Sequence, residues 1–141
     1  MIVRNAEKRD VQQILGLLNS AEELKTSKGF FYSPAYVESH LTNPVNEIIV
    51  CEDDSIIIGA LTAEVWKDKG YAFISNIIVR EDFRMKGAAS LMYGEFEKNC
   101  KLKKIRSINF LVKTSNKIMH DWAEKRGFER EEQFFFYEKK I

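Results

Sequence analysis

At 141 residues, 45% of them hydrophobic, with only two Pro and two Cys, the chain has the composition of a folded globular protein whose core needs neither disulfide nor metal; a linker or disordered tail is excluded. Its 22 basic and 21 acidic side chains leave a net charge of +1, so no strong field draws it to nucleic acid or to an anionic membrane. No apolar run approaches spanning length, and Arg4, Glu7, Lys8, Arg9 and Asp10 lie where a signal peptide has its apolar region, so a single domain over residues 1–141 in the cytoplasm is expected.

Ile2 and Val3 open a strand, and Asp10 with Gln13 reads as a capping box ahead of Val11, Ile14, Leu15, Leu17 and Leu18 at helical spacing. A loop follows through Lys28 and Gly29. Ser33 as N-cap with Pro34 at the first helical position then predicts a short helix from Pro34 to about Leu41. Aromatics crowd this region at Phe30, Phe31, Tyr32 and Tyr36, where they either close the core or wall a pocket for a planar or apolar partner.

Ile48 to Cys51 forms an apolar run, Asp53 and Asp54 make a turn, and Ile56 to Trp66 reads as the returning strand. A second turn at Asp68, Lys69 and Gly70 leads into Tyr71 to Val79, completing a three-strand meander. After a charged segment, Arg80 to Lys86, Leu91, Met92, Phe96 and Cys100 recur at helical intervals up to Lys101. Ile105 to Val112 predicts a strand, Ser115 caps a helix from Asn116 to Arg126, Gly127 stops it, and Phe134 to Tyr137 predicts a closing strand. The order implies a mixed α/β fold, its mostly antiparallel sheet of six to seven strands flanked by about four helices. Cys51 and Cys100 lack metal-ligand spacing and read as small core hydrophobes, so no metal is implied. The basic run Lys101, Lys103, Lys104 and Arg106 reads as a solvated helix end.

The segment that carries chemistry is Ile77-Ile78-Val79 followed by Arg84-Met85-Lys86-Gly87-Ala88-Ala89-Ser90 at the mouth of a helix. Consecutive N–H groups at a helix N-terminus, freed of bulk by Gly and two Ala, suit a pyrophosphate. The same letters also describe a tight turn whose small residues let the helix pack on the sheet. Arg84-x-x-Gly87-x-Ala89 resembles the Gln/Arg-x-x-Gly-x-Gly/Ala signature of the GNAT N-acetyltransferase superfamily, and it lies after the fourth strand and opens the third helix, as in that family. Ile58-Gly59-Ala60-Leu61 resembles the family's third strand, Asn76-Ile77-Ile78-Val79 its fourth, and Asn116 with Gly127-Phe128 brackets its fourth helix.

That resemblance implies an acetyl-CoA-dependent N-acetyltransferase with its coenzyme between splayed fourth and fifth strands. Ile77, Ile78 and Val79 would offer main-chain groups to the pantetheine arm, Arg84 to Ser90 would hold the pyrophosphate, and Asn116 would either touch the coenzyme or polarise its helix start. The Glu and Tyr that many relatives use as base and acid fall at Leu111 and Ala123, so neither carries over. Three substitutes remain for catalysis: Glu64, against a solvated strand face; His120, against a surface or capping role; and Tyr137, against strand packing. The implied acceptor is a small-molecule or peptide amine, with a peptide N-terminus, amino sugar or amino acid favoured, and the protein is a monomer or homodimer. The alternative is an acyl-CoA-binding sensor or partner subunit without turnover.

Overall fold

The computed structural model describes residues 1–21 and 32–141, which form two compact units, Met1–Phe110 and Leu111–Ile141. The loop at Lys28 and Gly29 and the aromatic pair Phe30 and Phe31 lie outside the described residues.

In the first unit, β1 (Ile2–Asn5) precedes α1 (Val11–Ser20) and α2 (Pro34–Thr42); β2 (Asn46–Asp53), β3 (Ile56–Trp66) and β4 (Tyr71–Val79) form the meander. The long helix α3 (Ala88–Leu102) then crosses to β5 (Ser107–Phe110). The sheet runs in the order β1-β2-β3-β4-β5, antiparallel throughout except for the parallel β4–β5 pair that a helical crossover produces. The fold is thus the expected mixed, mostly antiparallel α/β sheet, with five strands among the described residues in place of six to seven.

Turn chemistry sets the meander. Asp54 (φ 47°) and Ser55 (φ 65°) are both left-handed, the geometry of a two-residue hairpin turn, and Gly70 (φ 62°) closes the next one. One sheet face is covered by α1 and α2: Val11, Ile14, Leu17 and Leu18, spaced at helical intervals, pack with Val37, Ile48, Val50, Ala60 and Ile78. On the opposite face, a Cβ at Gly59 would come within 2.9 Å of Met92 Cε and 3.2 Å of Ile78 O, so glycine is what lets α3 approach β3. Removing Ile14, fully buried in this core, would cost ~2–5 kcal/mol as Ile→Ala.

Three sequence expectations are corrected. The first helix opens with a 3-10 turn at Lys8–Asp10, and the capping box joins Glu7 to Asp10 rather than Asp10 to Gln13. Asp10 is instead a buried anchor, gripped by Arg4 at 2.7 and 3.0 Å and by the Glu7 N–H at 2.7 Å, while Gln13 Oε1 accepts from the Ile57 N–H at 2.9 Å. Asp10 thus serves a cap one turn earlier while also holding Arg4, and Gln13 is drawn off to a tertiary contact. β5 covers only Ser107–Phe110, because Lys104 turns left-handed (φ 59°) and the Ile105 N–H is spent on the Cys100 carbonyl at 2.9 Å.

In the second unit, α4 (Lys117–Lys125) starts at Asn116, whose Oδ1 accepts from the Met119 N–H at 3.2 Å, and stops before Gly127 (φ 83°). The third correction concerns Phe134 to Tyr137, which forms no strand and is 75–89% exposed. A strand exists only with a ladder partner, and no described residue pairs with this segment.

Candidate active site

The site is built where β4 outlasts its neighbour. β4 pairs with β5 only from Tyr71–Ser107 to Ile74–Phe110, so among the described residues the rest of β4, through Val79, has no strand partner and an open edge on that side. At the same point the β3–β4 register shifts: Thr62 pairs with Asn76 and Ala63 with Ile74, leaving Ser75 as an extra, bulged residue. The bulge thus lies where the parallel pairing ends.

Strand alternation fixes what the open edge presents. The Arg80 N–H donates to the Ile58 carbonyl at 2.7 Å, so residues of the same parity, Ile78 among them, turn their peptide groups toward β3. Those of Ile77 and Val79 turn to the open edge, and the Val79 carbonyl there accepts from Arg84 Nε at 3.0 Å.

Beyond β4 the chain makes a 3-10 turn (Glu81–Phe83) that places Phe83 under two cations, Arg80 at 4.8 Å and Lys86 at 5.1 Å from the ring centroid. Arg80 also grips Asp82 with two 2.6 Å hydrogen bonds, which lower the pKa of Asp82, and Lys86 Nζ donates to the Asp82 carbonyl at 3.1 Å. This ties the loop down. Met85 (φ 62°) and Gly87 (φ 90°) are both left-handed, and such sign changes curve a backbone into an anion-binding concavity. Gly87 is the N-cap of α3 and has no side-chain cap, so the amides of Ala88 and Ala89 in the first turn have no carbonyl of their own helix to bond. A Cβ built on Gly87 meets nothing within 4 Å among the described residues, so the space beside this residue is open. Arg84, Met85, Lys86, Gly87, Ala88, Ala89 and Ser90 are thus gathered at one positive helix end, next to the open edge of Ile77 and Val79.

On the α1/α2 face lies a polar cluster of which the sequence signalled only parts. Asn19 at the end of α1 holds the Tyr32 backbone from both sides, accepting from its N–H at 2.8 Å and donating to its carbonyl at 3.0 Å. Tyr32 OH donates to Asn76 Oδ1 at 3.4 Å, and Asn76 Nδ2 donates to Thr62 Oγ1 at 2.9 Å, both side chains buried in β4 and β3. Tyr36, placed by the Ser33 cap, stacks obliquely on Tyr32 at 4.8 Å and lies within the field of Glu64. Burial raises the pKa of both phenols, and for Tyr36 the nearby Tyr32 and Glu64 raise it further, so both remain protonated donors at neutral pH. Asn76 and Thr62 were missed because a buried polar pair inside β-branched strands gives no periodic signal.

Three of the remaining sequence candidates, Asn116, His120 and Tyr137, belong to the second unit. His120 on α4 is bonded through Nε2 to the Lys113 carbonyl at 2.9 Å, and Asn116 Oδ1 is engaged in capping the same helix. Tyr137, expected on a strand, stands in the exposed terminal segment. Cys51 and Cys100 are buried free thiols whose pKa burial pushes up, that of Cys100 to about 11, so neither is a nucleophile. Among the described residues no group of His, Cys, Asp or Glu could hold a metal, and no helix is long and apolar enough to cross a membrane.

The model of the Acetyltransferase (GNAT) family matches residues 13–128, from α1 through α4 to the glycine stop. The chain belongs to the GNAT acetyltransferase family. As a GNAT protein it is an acetyl-CoA-dependent N-acetyltransferase, with acetyl-CoA as acyl donor. Solved structures give the same fold. The aminoglycoside N-acetyltransferase AAC(6')-Iy, in complex with CoA, is 21% identical with a TM-score of 0.81, covering 99% of this chain and 100% of its own. AAC(6')-IG from Acinetobacter haemolyticus is 20% identical with a TM-score of 0.79, covering 100% and 99%. A transcriptional regulator from Bacillus halodurans C-125 reaches 0.82 at 17% identity, covering 98% and 99%. No curated protein matches the chain. The open edge, the uncapped helix and the unobstructed space at Gly87 fit the pantetheine and pyrophosphate of this GNAT coenzyme.

Proposed function

We propose that this chain transfers acetyl from acetyl-CoA directly to a primary amine at the gap where β5 leaves β4, and that the residues from Ile77 to Ser90 hold the coenzyme. The observation that carries the reading is the coincidence of three features: a helix mouth without a side-chain cap, an αL glycine with open space at its Cβ, and a β4 edge without a strand partner. Ile77 and Val79 offer main-chain groups to the pantetheine amides, and Val79 does so once Arg84 Nε releases its carbonyl. The amides of Met85 to Ser90 hold the pyrophosphate, with the α3 dipole and Lys86 favouring its charge.

The amine nitrogen attacks the thioester carbonyl, the C–S bond breaks, and the ammonium proton passes to solvent. A main-chain N–H on the open edge of β4 stabilises the charge that develops on the acyl oxygen. Leu111 and Ala123 supply no proton chemistry, so positioning and charge stabilisation carry the rate. Without a dedicated base the acceptor has to arrive partly neutral. An α-amine, with a pKa of roughly 7.7–8.0, is about one-tenth neutral at pH 7, against about four parts in ten thousand for a lysine-like amine. This favours a peptide N-terminus, amino sugar or amino acid, and likeness in fold to aminoglycoside acetyltransferases, one solved with a bisubstrate analog of CoA and acetylneamine, supports the amino sugar among them.

The test is a ranked set of kcat/KM values for amino sugars, amino acids, short peptides, lysine and spermidine at pH 7. Amino sugars or α-amines are expected to lead. A highest value for spermidine or the lysine side chain would overturn the acceptor reading.

A further inference from the structure

Glu64 stands on β3 two residues beyond Thr62, on the sheet face covered by α1 and α2, with Asn46 and Phe73 as its cross-strand partners. Its side chain is half-buried, and among the described residues no hydrogen bond or ion pair engages the carboxylate. Its one expressed interaction is the field it exerts on the Tyr36 phenol. Among the described residues of this unit, the other buried or half-buried carboxylates are matched: Asp10 and Glu52 by Arg4, Glu47 by Lys103 at 3.0 Å and Asn99 at 2.7 Å, Asp53 by the N-terminus, Glu95 by Lys98 and Glu97 by Lys101. A carboxylate held on a sheet face without a cation of its own is open to pairing with one. Phe73, opposite it on β4, presents a ring surface that also attracts a cation.

We infer that Glu64 is a specificity-determining residue that binds a second, non-reacting ammonium of the acceptor, which makes the preferred substrate an amino sugar carrying at least two amines. This inference rests on the N-acetyltransferase reading and sharpens its acceptor class. The bound ammonium is not the one acetylated, because a carboxylate beside the attacking nitrogen holds it protonated and opposes attack. Glu64 lies one strand rung past the Ser75 bulge toward Trp66, so an amine seated on it leaves the rest of the acceptor to extend toward the open edge of β4. A second ammonium in the acceptor also lowers the basicity of the reacting amine, which suits a site without a base.

The test compares glucosamine, with one amine, and 2,6-diamino-2,6-dideoxyglucose, with two, on wild type, Glu64→Gln and Glu64→Asp. Two readouts are taken: kcat/KM with acetyl-CoA, and calorimetric binding to the CoA-loaded protein, with thermal melting to verify folding. Wild type should prefer the diamine. Glu64→Gln should cut the diamine-to-monoamine ratio about tenfold, through KM and in the binding measurement alike, whereas Glu64→Asp keeps most of it. Equal loss on both acceptors in kcat would make Glu64 part of the proton transfer, and an unchanged ratio would make it a bystander; either overturns the inference. If the diamine binds preferentially through Glu64 but neither sugar is acetylated, the acyl-transfer reading fails while this one stands.

Discussion

Gly87 concentrates the argument at the residue scale. Its φ of 90° demands a residue tolerant of the left-handed region, and the space beyond its Cβ is open, so backbone strain and coenzyme obstruction can be separated. Gly87→Asn, which tolerates that conformation, should keep the melting temperature near wild type while weakening acetyl-CoA binding in calorimetry by about tenfold or more. Gly87→Ala should instead cost ~1–2 kcal/mol of stability with a smaller loss of binding. Asp10 is the opposite kind of residue, buried and structural. Its pKa is lowered chiefly by the Arg4 hydrogen bonds, so its stabilisation is complete above the unfolded value of about 3.9 and lost as pH falls through the lower folded pKa. Asp10→Asn should therefore unfold at lower denaturant at pH 7, by ~3 kcal/mol, with the gap to wild type narrowing below about pH 4. Cys51 and Cys100 should both resist iodoacetamide at pH 8 in the native protein and react together on unfolding; fast labelling of either in the folded state would contradict their burial.

At the scale of elements, the letters were most informative where the backbone itself decides. Ile56 to Trp66 and Tyr71 to Val79 were legible as strands because β-branched runs ended at polar turn residues, and the Ser33-Pro34 start of α2 carries its own capping chemistry. Where tertiary partners compete, local reading failed. Asp10 and Gln13 look like a cap, but Arg4 and the Ile57 amide claim them. The closing strand failed for the complementary reason: Phe134 to Tyr137 has strand propensity without a ladder to join. The β4 bulge was invisible because inserting one residue leaves no signature in composition, yet it turns Asn76 toward Thr62 and Tyr32. Asn76→Ala should cost ~1–3 kcal/mol by stranding the Thr62 hydroxyl. It should also raise the acceptor KM more than the KM for acetyl-CoA, because Tyr32 then loses its tie to β4. Equal changes in both KM values would show that the Tyr32–Asn76 contact does not shape the acceptor side.

For the whole molecule, the function follows from one topological fact. A helical crossover places β5 parallel beside β4, yet β5 stops at Phe110 while β4 continues to Val79 and leads through a short loop into the N-terminus of α3. The unpaired edge and the positive helix end are therefore neighbours in the chain, which is why the segment proposed to bind the coenzyme stands out in sequence as one continuous stretch. The proposed acceptor side is less visible there, because Tyr32, Tyr36, Glu64 and Asn76 come from α2 and its approach, β3 and β4 and share only a sheet face. The most direct measurement is continuous release of free thiol from acetyl-CoA by the purified protein, with and without an amino sugar acceptor, alongside Gly87→Asn. Release that requires the amine and is sharply reduced in the folded variant is the predicted result. Saturable acetyl-CoA binding that the variant weakens, with no amine-dependent release across the acceptor panel, would contradict acyl transfer and make the chain a coenzyme-binding sensor or partner subunit.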